Sequence, residues 1–150
     1  MGHTFSEILM HVVFSTYRRR NLLAEGFQER LHQYMTGLAR EEFGQVIRIG
    51  GTDNHLHGLL RLRPNVSIST AMRKWKSLSS GWLHKTFPTA AEFAWQEGYG
   101  AFSVSPSKSD EVVAYIESQA RHHQVRTFEE EYLALLKAHG IAHDPQDIWA

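Results

Sequence analysis

His55 and His57 stand two residues apart at the head of the apolar run Asn54-His-Leu-His-Gly-Leu-Leu-Arg-Leu62. That spacing serves chemistry on a strand, where residues i and i+2 leave the same face about 6–7 Å apart along the backbone, so that two imidazoles can lean onto one metal ion. A second group lies on the stretch 109–123. At 100° per residue Tyr115, Gln119 and His122 share one helical face, while Val112, Val113, Ile116 and Ala120 form a core stripe. A phenol at its ordinary pKa of about 10 is a poor nucleophile at neutral pH and needs a cation or a base beside it. An ion on the histidine pair would supply the cation, polarise a phosphate oxygen and orient the bond to be broken, and the Gln119 carbonyl oxygen would make a third ligand. Each motif alone also has a plain explanation: a chance His-x-His on a half-exposed strand, and a surface helix with an incidental tyrosine.

The elements that must hold these residues read as follows. Residues 7–14 are a near-continuous apolar, β-branched run, expected as a central strand that exits into Ser15-Thr-Tyr-Arg-Arg-Arg20. Phe27, Leu31, Met35 and Leu38 recur at the helical period between about Leu22 and Phe43, with Gly44 at the end. Residues 45–51 and 55–63 form two strands joined by the turn Thr52-Asp-Asn54, hence an antiparallel hairpin. A helix capped by Ser67 or Ser69 runs to about Phe87, with Ile68, Met72, Trp75, Leu78 and Trp82 as its core stripe and Pro88 as its stop. The extended stretch 93–105, broken by glycines, supplies a fourth strand, and Pro106-Ser107 introduces the helix over 109–123. Thr127-Phe-Glu-Glu130 has the form of a capping box for a last helix that runs to His139 and ends at Gly140, with Ile148 and Trp149 docking the tail. The order β-α-β-β-α-β plus two C-terminal helices predicts an α+β, ferredoxin-like antiparallel sheet with helices on one face and the two extra helices added, in one domain over 1–150. The histidine strand then lies beside the first strand, inside the sheet, on a stiff platform.

Composition narrows the chemistry further. The 150 residues contain no cysteine, which excludes a disulfide framework, a thiolate metal site and a cysteine nucleophile. No run approaches a membrane span and no signal segment is evident, so a cytoplasmic protein is expected. Net charge is zero, but residues 1–90 carry twelve Lys/Arg against six Asp/Glu and residues 91–150 carry four against ten. This asymmetry suggests a basic face, with Arg18, Arg19, Arg20, Arg73, Lys74 and Lys76 as candidate phosphate contacts.

Taken together, Asn54-His-Leu-His57, the segment Trp95-Gln-Glu-Gly-Tyr-Gly-Ala-Phe-Ser-Val-Ser105, and Val113-Ala-Tyr-Ile-Glu-Ser-Gln-Ala-Arg-His-His123 followed by Thr127-Phe-Glu-Glu-Glu-Tyr132 closely resemble the single-tyrosine transposases of the insertion-sequence-200/605 type, in the HUH endonuclease superfamily. The resemblance covers nearly the whole chain. It implies that His55 and His57 are the metal-binding pair, Gln119 the third ligand of Mg2+ or Mn2+, and Tyr115 the nucleophile, with His122 auxiliary. It further implies attack on single-stranded DNA at hairpin-marked element ends, a 5′-phosphotyrosine intermediate with a free 3′-hydroxyl, and a homodimer. Gly58 stands where family members often carry a bulkier apolar residue, which suggests a looser strand there. The alternatives are a non-catalytic single-strand-binding module of the same fold and a metal-dependent phosphodiesterase that uses water.

Overall fold

The backbone hydrogen bonds of four short apolar runs are satisfied in one antiparallel sheet. The computed structural model describes residues 2–119 and 126–149. Its strands are β1 (Leu9–Ser15), β2 (Gly44–Gly51), β3 (His55–Leu62) and β4 (Gly100–Val104), in the order β2-β3-β1-β4. Helices α1 (Glu25–Glu42) and α2 (Ile68–Thr86) fill the two crossovers, and α3 (Ser109–Glu117) and α4 (Phe128–Ala138) follow β4. This is the expected ferredoxin-like α+β arrangement, with β3 paired to β1 so that Val13 faces His57 and Ser15 faces His55. Among the described residues no helix is long and apolar enough to cross a membrane.

Strand alternation sorts the side chains into two layers. Val12, Phe14, Leu56 and Leu60 point into the core built with Phe27, Leu31, Met35, Met72 and Trp75 of α1 and α2. Leu9, His11, Val13, His55, His57 and Leu59 therefore face the other way. There Val13 packs with Phe102, Phe128, Tyr132 and Leu136, and Leu9 and Leu59 pack with Ile116. The two C-terminal helices thus cover the histidine face.

Local signals placed most boundaries. Ser67 caps α2 by accepting from Thr70 N at 3.1 Å. Thr127 and Glu130 form the capping box of α4, and Gly140, at φ +65°, closes it: Gly140 N bonds Lys137 O at 3.1 Å and Ile141 N bonds Leu136 O at 3.0 Å. Ile148 is buried, and the Trp149 ring lies 5.6 Å from that of Tyr132.

Four expectations need correction. Only Gly100–Val104 of the stretch 93–105 pairs as a strand. Trp95 and Gln96 instead turn inward, where the indole donates to Ser79 Oγ and Gln96 Oε1 accepts from Ser15 N, so this backbone is tied to β1 by side chains as well as by its own amides. Of the helix expected over 109–123, α3 covers Ser109–Glu117 with Ser118 breaking it, and residues 120–123 lie outside the described residues. Leu78 is 41% exposed, and Ser79 and Leu83 hold the inner positions of α2. Gly58 does not loosen β3: a Cβ there would lie 2.9 Å from the end of the Trp75 ring, so the indole occupies the volume that a larger residue would take.

Candidate active site

Three elements converge on the histidine face. His55 and His57 project from β3, which is hydrogen-bonded on both sides by β1 and β2. Tyr115 comes from α3, which approaches β2 closely because Gly50 has no side chain: a Cβ there would be 2.7 Å from Ile116 O. Gly50 is the register partner of His57, so this contact sets the tyrosine next to the histidine, with ring centroids 5.7 Å apart. Glu131 comes from the first turn of α4, positioned by the Thr127 cap.

The geometry is tight and dry. His55 and His57 have no solvent exposure, and neither does Glu131; Gln119 is 1% exposed. Glu131 Oε1 lies 2.9 Å from His57 Nε2 and 3.6 Å from His55 Nε2, and the ligand atoms of these three residues lie within 4.8 Å of one another. Gln119 Oε1 approaches His55 Nε2 at 2.9 Å. The other carboxylate oxygen, Glu131 Oε2, accepts a hydrogen bond from the Tyr115 hydroxyl. Phe128 stacks on His55 at 4.3 Å and closes the site from above.

Each imidazole is also held from behind. His55 Nδ1 lies 2.9 Å from Asn54 Oδ1 and 3.0 Å from Thr52 Oγ1. The Asn54 amide nitrogen donates to Arg19 O, which turns its oxygen towards the ring and puts the proton on Nδ1. His57 Nδ1 lies 2.8 Å from His11 Nε2. The Gln119 amide nitrogen reaches Tyr115 O at 3.4 Å, so its oxygen points inward. Two imidazole nitrogens, a carboxylate oxygen and an amide oxygen thus converge as electron-pair donors, a set that needs protons or a cation among them. This donor set fits a divalent metal.

Charge follows from the same contacts. Burial would raise the Glu131 carboxyl, but the hydrogen bond and charge of His57, the bond from Tyr115 and the charge of His55 outweigh it and hold the group below the usual carboxylate range. Burial, then the bond to Glu131 and its charge, push the Tyr115 phenol above its ordinary value, with Arg126 pulling it down. Burial and the charge of His57 bring His11 down to about 3, against the pull of Glu131, so His11 is neutral.

Of the residues marked in the sequence, His55, His57, Tyr115 and Gln119 meet within one chain, while His122 lies outside the described residues. The basic residues divide. Arg18, Arg20 and Arg73 are exposed. Arg19 is paired with Glu129 at 2.7 Å and lies 4.4 Å over the Trp149 ring, and Lys74 is paired with Glu42 at 3.1 Å. Lys76 is buried and donates to Glu97 O and Gly98 O, each at 2.8 Å, and so ties that loop to α2. Two residues of the site were missed. Glu131 lies within the Thr127–Tyr132 segment of the family resemblance but has no assigned role there, and nothing in its spacing aims it at residues some seventy positions earlier. His11 was absorbed into an apolar run, where a lone histidine among Val, Leu and Phe was the available signal.

Solved structures share this fold. The chain superposes on a candidate transposase of Deinococcus radiodurans R1 with a TM-score of 0.63 and 19% identity, covering 79% of this chain and 96% of that one. It superposes on a REP-associated tyrosine transposase bound to a REP hairpin with a TM-score of 0.60 and 15% identity, covering 82% and 73%. No curated protein matches by sequence. The family model for IS200-like transposases matches residues 4–119, most of the chain. The protein belongs to the IS200-like transposase family, and its activity is accordingly of the transposase class, the processing of DNA.

Proposed function

We propose that the protein cleaves and rejoins single-stranded DNA through Tyr115, at element ends marked by hairpins, and that it works with Mg2+ or Mn2+ as a homodimer. The observation that carries this reading is the single carboxylate of Glu131, which touches the tyrosine hydroxyl with one oxygen and the histidine pair with the other. The REP hairpin bound to the structural neighbour and the family match support the choice of substrate.

His55, His57 and Glu131, with Gln119 beside them, would hold the cation, which when bound supplies Lewis acidity to a phosphate oxygen. The chain's own residues do the rest. Tyr115 Oη forms a bond to phosphorus as the P–O3′ bond breaks, leaving the 5′ side attached to the tyrosine and a free 3′-hydroxyl. The phenol is held protonated at rest and donates to Glu131 Oε2, which orients Oη; the phenolic proton is lost to solvent as the P–Oη bond forms, and the departing O3′ takes one up from solvent. The burial of both imidazoles, with Phe128 stacked on His55, keeps bulk water from them. Rejoining reverses the step with an incoming 3′-hydroxyl and needs no nucleotide, because the phosphotyrosine conserves the bond.

The test is direct. Incubation with hairpin-bearing single strands from the flanks of the encoding locus and Mn2+ should give an adduct that survives denaturation, and Tyr115→Phe should give none. An undiminished adduct from that variant would remove Tyr115 from the chemistry. Cleavage that survives Tyr115→Phe but is lost in His57→Ala would instead favour attack by water.

A further inference from the structure

A histidine that binds a metal through one ring nitrogen must carry its proton on the other, and that proton needs an acceptor if it is buried. His55 has such an acceptor in Asn54 Oδ1. His57 has no comparable side-chain oxygen; behind its Nδ1, at 2.8 Å, is the Nε2 of His11. The two rings are stacked, 5.1 Å between centroids and 27° between planes, and both are almost wholly out of water. His11 belongs to β1, where it is the diagonal neighbour of His57: it pairs with Leu59, while Val13 pairs with His57. The contact is therefore fixed by strand register rather than by a mobile loop. Phe102, 6.1 Å away and edge-on, closes the far side of the His11 ring.

We propose that His11 is a positioning residue that sets the tautomer of His57, its Nε2 accepting the His57 Nδ1 proton so that His57 Nε2 presents a lone pair to a divalent cation. The inference rests on the cation site described above, and it assigns to β1 a part in that site. Without a cation the arrangement inverts: His57 Nε2 donates to Glu131 Oε1 at 2.9 Å, and His57 Nδ1 accepts from His11 Nε2. The pair thus has two neutral states that differ by two proton shifts: one proton crosses the shared hydrogen bond between His57 Nδ1 and His11 Nε2, and a second leaves His11 Nδ1 as one is taken up at His57 Nε2, or the reverse. Cation binding selects one of them. A phenyl ring at position 11 would fill the same space and stack on His57 but could neither accept nor donate, whereas an amide can accept through its oxygen.

The experiment compares wild type, His11→Phe and His11→Asn by Mn2+ titration followed by electron paramagnetic resonance, and by two-bond 15N–1H correlation spectra of the histidines with and without Mg2+. Expected are a loss of Mn2+ affinity of about 10- to 100-fold in His11→Phe, the range seen when a buried partner of a ligand is removed, and partial recovery in His11→Asn. In wild type, the His57 proton should move from Nε2 to Nδ1 when Mg2+ is added. Unchanged Mn2+ affinity in His11→Phe with wild-type binding intact would overturn the role of His11 alone. So would a wild-type His57 that keeps its proton on Nε2 in the loaded protein, a result that does not depend on any variant folding. No Mn2+ binding by wild type would overturn the cation site and the role of His11 together, while the Tyr115 adduct assay would still test the transposase chemistry separately.

Discussion

Glu131 presents its two oxygens to different partners, and the consequences differ from those of losing either partner alone. Glu131→Gln keeps the shape but gives up the charge that balances the two imidazoles and accepts the phenolic hydrogen bond. Adduct formation should fall, measured as initial rate on a hairpin strand, and Mn2+ affinity should fall with it, because the same carboxylate orients the tyrosine and faces the histidine pair. The cations separate by their contacts in a similar way. Neutralising exposed Arg73 with Arg73→Gln should lower the slope of log affinity against log salt by up to about 1 while leaving the melting temperature unchanged. Lys76→Met should do the reverse, leaving the salt slope alone and costing about 1 kcal/mol in denaturant titrations, because the half-buried carbonyls of Glu97 and Gly98 lose their shared donor. Lys76 also predicts a pH effect. Burial depresses it to about 8 in the folded protein from an ordinary value of about 10.5, with Glu97 opposing. Between these values the unfolded chain holds the proton and the folded one does not, so this residue's contribution to stability rises with pH across that window. The melting temperature of wild type minus that of Lys76→Met, followed from pH 7 to 10, should increase.

At the scale of elements, the site depends on two close approaches and one cap. Helix α3 reaches β2 because Gly50 is bare, and β3 accommodates Trp75 because Gly58 is bare. Trp75 cannot easily give way: its indole donates to Met35 O at 2.9 Å, and Phe14 and Phe43 meet it edge-on. Gly58→Val should therefore destabilise the whole fold, by the roughly 1–3 kcal/mol of an overpacked core. Gly50→Val should act more locally, lifting α3 and with it Tyr115, so that adduct formation is lost out of proportion to the change in melting temperature. Thr127→Ala removes the cap that orients the first turn of α4, where Phe128 and Glu131 sit; a cost of about 1 kcal/mol is expected, with faster amide exchange confined to α4 as the check.

For the whole molecule, the arrangement of Tyr115 against His57 within one chain makes a specific statement about assembly. If this arrangement is the reactive one, mixing Tyr115→Phe with His57→Ala protein gives no adduct, since neither chain has a complete site. Restored activity in the mixture would show that the tyrosine helix is exchanged between protomers. Either result is read on the same denaturing gel.

Much of this was legible in the residues themselves. Periodicity of apolar positions along α1 and α2, the Ser67 cap, the Thr127-Glu130 capping box and the Gly140 stop all act within a few residues, so a local reading recovers them. His-x-His on a strand and Tyr-x-x-x-Gln near a helix end are likewise local patterns, and they picked out four side chains that the fold brings together. Where contacts are long-range the sequence is silent. Glu131 joins the site through the packing of α4 over the sheet, and His11 through the register of β1 against β3. The burial of Lys76 and the pairing of Arg19 with Glu129 are likewise contacts that no local pattern announces. Sequence alone determined which reactive side chains are present and how they are spaced along a strand or a helix, because residue type and short spacing are local properties. Only the tertiary structure decided which carboxylate meets the tyrosine and what stands behind each histidine, because those neighbours are set by strand register and helix packing across separations of 16 to 74 residues.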